Sequence, residues 1–196
     1  MGARLGVLAL QGDVSEHILA FSRALRATGE VDGSVIPVRK PQDLEGLQGL
    51  AIPGGESTTI SRLVEKNGLF GPLVNFEGGI FATCAGMVLA ASRVDDPRVR
   101  PLGLLDMAVK RNAFGRQRES FEADLAVRGL DQPFHACFIR APVATATGKD
   151  VEVLARIDAG AVAVRRGKHM ALSFHPELGD DPRLHAMFLE RIFAGE

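Results

Sequence analysis

Apolar residues fall along this chain in two alternating rhythms. Short runs of strand length, Leu5 to Leu10, Val35 to Val38, Leu50 to Pro53 and Ile80 to Thr83, are separated by stretches with helical spacing. In the first such stretch Ile18, Leu19, Phe21 and Leu25 recur at helical intervals. Asp13 followed by Glu16 has the form of a capping box before it, and Gly29 stands where a helix C-cap is expected. A second helix is expected from about Ser57 to Lys66 after a turn at Gly54-Gly55, and a third from Ala85 through Ala91. This β-α-β order predicts parallel strands joined by crossover helices.

The second half changes character. Met107 to Lys110, Phe121 to Val127, Phe134 to Ile139, Val151 to Ile157, Ala161 to Arg165 and His169 to Phe174 read as further strands, several of them antiparallel additions. The Ala159-Gly160 step suits a hairpin turn, and Leu184 to Phe193 reads as a closing amphipathic helix. The expected architecture is α/β, with three layers: an open mixed, mainly parallel sheet flanked by helices, with added antiparallel strands. No internal repeat or low-complexity segment interrupts it, and residues 1–196 are expected to form one domain.

Composition narrows the classes of function. With 46% hydrophobic residues in a chain of 196, one substantial core can form. Basic and acidic side chains number 23 and 24, a formal net charge of -1, so no broad positive field exists to hold nucleic acid or an anionic membrane. Cys84 and Cys137 form neither a disulfide framework nor a zinc-ligand cluster, and a reducing cytoplasm is the expected compartment. The run from Leu5 is too short for a signal segment or a membrane span, and Gly6 stands where a myristoylation motif wants Ser or Thr.

In open parallel sheets ligands gather at the carboxyl ends of strands, where Gln11, Gly54-Gly55-Glu56 and Cys84 all fall. A lone cysteine in an apolar run is ordinarily structural, and Cys137 is read that way. Cys84 differs, because it sits at a strand-to-helix junction whose dipole and free N–H groups favour a thiolate and can hold an oxyanion. Its small neighbours Ala82 and Gly86 match the spacing of a nucleophile elbow. Far downstream, Ser173-Phe174-His175-Pro176-Glu177 supplies an imidazole at another strand end and a carboxylate two residues on to orient it. His17, His135, His169 and His185 lack such neighbours in sequence and are read as surface or packing residues. The Gly54-Gly55-Glu56-Ser57 turn lacks the lysine of a P-loop. Its glycines permit either peptide orientation, as an oxyanion hole requires; the plainer reading is a tight turn capped by Ser57. Arg111, Arg116, Arg118 and Arg140 are ordinary solvated charges or forks for a substrate carboxylate.

Nearly end to end, the chain resembles the class I glutamine amidotransferases, and within them the glutaminase subunits of pyridoxal phosphate synthase. The resemblance rests on Gly6-Val7-Leu8-Ala9-Leu10-Gln11-Gly12, Pro53-Gly54-Gly55-Glu56-Ser57-Thr58, Thr83-Cys84-Ala85-Gly86, Arg111-Asn112-Ala113-Phe114-Gly115-Arg116-Gln117, Ser120-Phe121-Glu122 and Phe174-His175-Pro176-Glu177. It implies a class I glutamine amidotransferase-like (flavodoxin-like) fold that hydrolyses L-glutamine and passes ammonia to a TIM-barrel synthase partner, with no cofactor or metal. It further implies Cys84 as nucleophile, His175 as proton shuttle and Glu177 as its orienter. Backbone N–H groups of Gly55 and Ala85 would form the oxyanion hole, and Gly55, Glu56, Ser57, Arg111, Ile139 and Arg140 would line the glutamine site. Ala82 departs from the glycine usual in the family, and strain is expected there if the backbone needs positive φ. The alternatives are a glutaminase serving another synthase, a cysteine peptidase or thiol stress protein of related fold, and a non-catalytic binding module. The first helix and the surroundings of Gln11 are the expected docking surface.

Overall fold

The computed structural model describes residues 2–115 and 120–194. Met1, Arg116, Gln117 and Arg118 lie outside the described residues, and with them part of the Phe-Gly-Arg-Gln stretch. The first half alternates as its pattern predicts: β1 (Arg4–Leu8), α1 (Val14–Ala27), β2 (Ser34–Val38), β3 (Gly49–Ile52), α2 (Ser57–Lys66), α3 (Phe70–Val74), β4 (Gly79–Thr83) and α4 (Ala85–Ala90). There follow β5 (Ala91–Val94), β6 (Leu105–Lys110), β7 (Ser120–Leu125), β8 (Phe134–Ile139), β9 (Val143–Thr147), β10 (Glu152–Ile157), β11 (Gly160–Arg166) and β12 (His169–Leu172), and α5 (Arg183–Phe193) closes the fold.

One sheet runs in the order β2-β1-β3-β4-β12-β11-β9-β6-β5, with β10 paired to β11. The five strands from β2 to β12 pair in parallel, while β11, β9 and β10 add antiparallel pairings. β7 and β8 form a separate antiparallel ribbon. Phe174, just past β12, packs its ring against Phe134 and Phe138 of that ribbon, with centroids 5.7 and 5.4 Å apart.

Side-chain alternation along the parallel strands creates the layers. In β3, Leu50 and Ile52 join a core with Ile60 and Val64 of α2 and Met87 of α4, while Ala51 joins the opposite core with Phe21 of α1 and Phe188 of α5. In β4, Ile80 and Ala82 face the first core and Phe81 the second. A strand buried on both faces reads as a continuous apolar run, which is the pattern seen in the sequence.

Several boundaries differ from those the pattern predicts. β1 ends at Leu8, β3 at Ile52 and β12 at Leu172, because the apolar residues beyond them, the half-buried Ala9 and Leu10 and the buried Pro53 and Phe174, belong to the loops that leave the sheet edge. β7 ends at Leu125, short of Val127. Ala91 opens β5 instead of ending α4, and β5, β9 and α3 are additional. Asp13 is the N-cap residue of α1 but makes no side-chain cap bond, so no capping box forms; Glu16 instead accepts from the Ser15 hydroxyl at 3.0 Å. The hairpin at Ala159-Gly160 is present, with Ile157 paired to Gly160.

Gly86 fixes how closely α4 lies on the sheet. A Cβ there would collide with the Ile52 carbonyl at the end of β3, which is backbone and cannot step aside. Gly86→Ala should therefore destabilise the protein by at least about 2 kcal/mol, measured by denaturant unfolding.

Candidate active site

β1, β3, β4 and β12 are parallel neighbours, so their carboxyl ends and the loops that leave them share one edge. The Cys84 N–H extends the ladder, donating to the Leu172 carbonyl at 2.8 Å. There the chain turns sharply, and Cys84 adopts φ 48°. For a residue with a side chain such backbone costs about 1–3 kcal/mol and is held only by its surroundings. The strain expected at Ala82 is absent: that residue sits in β4, in register with Ile52 and Ala171, and the positive φ belongs to the cysteine itself. Among the described residues Asn112 and Arg140, both at φ 45°, are the other non-glycine positions with positive φ. All three line the same cavity of about 240 Å³.

That cavity also brings together Ala85 and His175, Gly55, Glu56 and Ser57 of the β3–α2 turn, and Arg111 and Ile139. Glu177 lies behind it, its side chain fully buried. The Cys84 thiol donates to the Ile139 carbonyl at 3.7 Å. The His175 N–H donates to the Cys137 carbonyl at 3.0 Å, and Pro176 starts a short 3-10 turn that carries Glu177. Nδ1 of His175 lies 2.7 Å from Glu177 Oε1 and 3.3 Å from Asp13 Oδ2. Burial disfavours the charged ring, yet hydrogen bonds to Asp13, Cys84 and Glu177 outweigh it and hold His175 well above the ordinary histidine range. Burial likewise opposes the Glu177 carboxylate, but His17 first and then His175 hold it well below the usual carboxylate range.

Asp13 and His17 were not singled out by their sequence context. The reading of His17 as a mere packing residue is corrected: its ring is fully buried, with Nε2 2.9 Å from Thr83 Oγ1 and 3.4 Å from Glu177 Oε1. The available signal is their spacing, an acid and an imidazole four residues apart at the start of the helix that follows β1. The His17 N–H donates to the Asp13 carbonyl at 3.2 Å, so one helical turn straddles the His175–Glu177 pair. Asp13, His175 and Glu177 offer ligand atoms within 4.8 Å of one another, but a single Nδ1 proton shared between two carboxylates accounts for that cluster. His135 also has acidic neighbours, Asp124 at 2.9 Å and Glu122 at 3.3 Å, on the exposed face of the ribbon. His169 accepts from the Ile80 N–H at 3.2 Å through Nδ1.

Two loops clasp each other beside the thiol. The Asp13 N–H donates to the Gly54 carbonyl at 3.2 Å, and the Glu56 N–H donates to Gln11 Oε1 at 2.8 Å. Gly54 leaves room for the His175 ring and the Asp13 carboxylate, where a Cβ would stand. Glu56, not Ser57, caps α2, accepting from Thr58 N at 3.3 Å. The same carboxylate accepts from Arg111 Nη2 at 2.8 Å while Nη1 of Arg111 donates to Asp96. Two protein carboxylates thus fix this guanidinium, which is neither a solvated charge nor an unoccupied fork.

A thiol on a strained strand-to-helix turn thus stands beside an imidazole–carboxylate pair at a parallel sheet edge, the arrangement that the resemblance to glutamine amidotransferases implies. The crystal structure of a glutamine amidotransferase superposes with a TM-score of 0.85 at 48% identity, covering 96% of this chain and 98% of its own. The same fold recurs in a Thermotoga maritima glutamine amidotransferase at a TM-score of 0.63 and 13% identity, covering 98% of both chains. The model of the SNO glutamine amidotransferase family matches residues 7–194, and this chain belongs to that family. A pyridoxal 5'-phosphate synthase subunit PdxT of Methanoregula boonei is 66% identical over 191 residues, 96% of this chain and 98% of that protein. The protein of the same name from Methanosphaerula palustris is 64% identical over 189 residues, 96% and 97% of the two chains. Among the described residues no helix is long and apolar enough to cross a membrane.

Next to this cluster, His185 of α5 is buried with neither ring nitrogen hydrogen-bonded among the described residues. Burial pushes it down to about 3, with His17 adding to the effect. The unfolded ring takes a proton near 6.5 and the folded ring only near 3, so stability drains away as pH falls through that window. Between about pH 8 and about pH 5, wild type should lose about 2 kcal/mol more than His185→Leu, compared by denaturant unfolding at each pH.

Proposed function

We propose that this chain is the glutaminase subunit of a pyridoxal 5'-phosphate synthase, acting as one domain over residues 1–196. It hydrolyses the side-chain amide of L-glutamine and hands the ammonia to a TIM-barrel synthase partner. The observation that carries this reading is Cys84 at φ 48° beside a His175–Glu177 pair 2.7 Å apart, at the edge of a cavity in a chain of this family.

The chemistry follows from these positions. The Cys84 thiolate attacks the amide carbon and forms a C–S bond, and the carbonyl electrons move to oxygen. Backbone N–H groups of Ala85, at the first turn of α4, and of Gly55 receive that oxyanion; one such donor is worth about 2.7–4 kcal/mol of barrier. His175 is favoured in its protonated form, so it can give a proton to the departing nitrogen, and the C–N bond breaks to release ammonia. Glu177 keeps the proton-bearing Nδ1 facing itself, which leaves Nε2 for the reaction. Water, activated by His175, then adds to the glutamyl thioester, and glutamate leaves with Cys84 restored. Glu56, Ser57, Ile139 and Arg140 line the place of the amino-acid end of glutamine, together with Arg111, whose guanidinium the Glu56 and Asp96 carboxylates hold. The free thiols Cys84 and Cys137 suit a reducing cytoplasm.

Cys84→Ala should abolish ammonia release from glutamine and leave the melting temperature nearly unchanged; retained hydrolysis would remove Cys84 from the role of nucleophile. The Gly54-Gly55 peptide is tied through the Gly54 carbonyl to Asp13, in the loop before α1. Docking of the synthase against that helix and Gln11 can therefore reset the oxyanion turn. Glutamine turnover should rise when the chain is titrated with the synthase, and full activity of the isolated chain would contradict this coupling.

A further inference from the structure

We propose that His17 is a positioning residue for the glutaminase reaction, acting on the Glu177 carboxylate that orients His175. This rests on the glutaminase reading of Cys84, His175 and Glu177.

Both side chains, His17 and Glu177, are completely shielded from solvent. Glu177 Oε1 lies between two imidazoles, 2.7 Å from His175 Nδ1 and 3.4 Å from His17 Nε2. Its other oxygen, Oε2, has no hydrogen-bond partner among the described residues. The carboxylate is therefore hydrogen-bonded through one oxygen, to His175 Nδ1, with His17 Nε2 at ion-pair distance from that same oxygen. A proton on His17 Nε2, directed at the Thr83 hydroxyl, is the tautomer consistent with a carboxylate beside it, since a ring lone pair there would set negative charge against negative charge. The same Nε2 lies 2.9 Å from the hydroxyl of Thr83, the residue that immediately precedes the nucleophile. His17 thus ties together three pieces of chain that sequence keeps far apart: α1, the end of β4 and the turn after β12.

Packing does not account for this arrangement. The His17 ring lies among Phe21, Phe81 and His185, with centroids 6.2–6.4 Å away, a setting that an apolar side chain would fill without desolvating two nitrogens. Its Nδ1 is unpartnered among the described residues, so the one polar contact pair it makes is the one to Thr83 and Glu177. Among the described residues Glu177 and His185 are the titratable side chains against its ring, and Asp13, Cys84 and Glu177 stand around the neighbouring His175.

Three variants at this position separate a positioning role from a structural one. Gln places a donor close to where Nε2 lies; Asn is too short, and Leu has none. Each is assayed with the synthase for kcat and KM toward glutamine, and alone for the pH at which Cys84 reacts half-maximally with iodoacetamide. His17→Leu and His17→Asn should lower kcat about 10- to 100-fold with KM within about twofold, as loss of an outer hydrogen-bonding partner does elsewhere. Their alkylation midpoint should move to higher pH, and His17→Gln should restore most of both properties. A His17→Leu protein with wild-type kcat and midpoint would overturn the proposal. So would His17→Gln and His17→Asn behaving alike; that comparison decides the matter if the leucine variant fails to fold. Wild-type protein that releases no ammonia from glutamine would sink the glutaminase reading instead, and the alkylation midpoints would still report on His17.

Discussion

The register of β4 between β3 and β12 is the constraint on which the rest of this molecule depends. Ile52 pairs with Ala82 on one side and Leu172 with Thr83 on the other, so the three strands run out at the same level. Because side chains alternate faces, a slip of one residue would exchange Phe81 with Ile80 and Ala82 and empty both cores at once. The packing of two hydrophobic layers therefore determines where Cys84 emerges, and with it the distance to Gly54 and His175. No local feature of the thiol's own turn could achieve that.

The strain at the thiol is stored against this rigid background. Cys84 keeps a backbone conformation disfavoured for any side chain because its N–H is held by Leu172 and the next turn of chain is pressed onto Ile52 through Gly86. Asn112 and Arg140, also at positive φ, line the same cavity. The clustering of all three around one small volume marks the site independently of any chemistry assigned to it.

Much of this was legible in the chain. The limits of α2 follow from its punctuation, and the convergence of Gly54, Cys84 and His175 follows from parallel strands sharing a carboxyl edge. What escaped has physical causes. β5 is the four residues Ala-Ser-Arg-Val, of which only the last favours a strand, and β9, though β-branched at Val143, Thr145 and Thr147, is five residues long with only alanine between them, so neither stands out as an apolar run. Strand ends were overrun because Phe174, although in a loop, is as buried as any core residue. His17 was missed because its partner Glu177 stands 160 positions away in sequence, and nothing short of the fold brings α1 beneath the His-Pro-Glu turn. Ala82 drew attention as the departure from a pattern, yet the unusual backbone lay two residues later.

The ribbon of β7 and β8 stands apart from the main sheet, joined to it through the rings around Phe174 and the hydrogen bond from His175 to Cys137. It delivers Ile139 and Arg140 to the cavity, whereas the thiol, the imidazole and the glycine turn all come from the parallel strands. On the glutaminase reading proposed above, bond breaking and admission thereby fall to separate pieces of architecture, so a change in the ribbon would alter what enters the cavity and leave the chemistry beneath it standing.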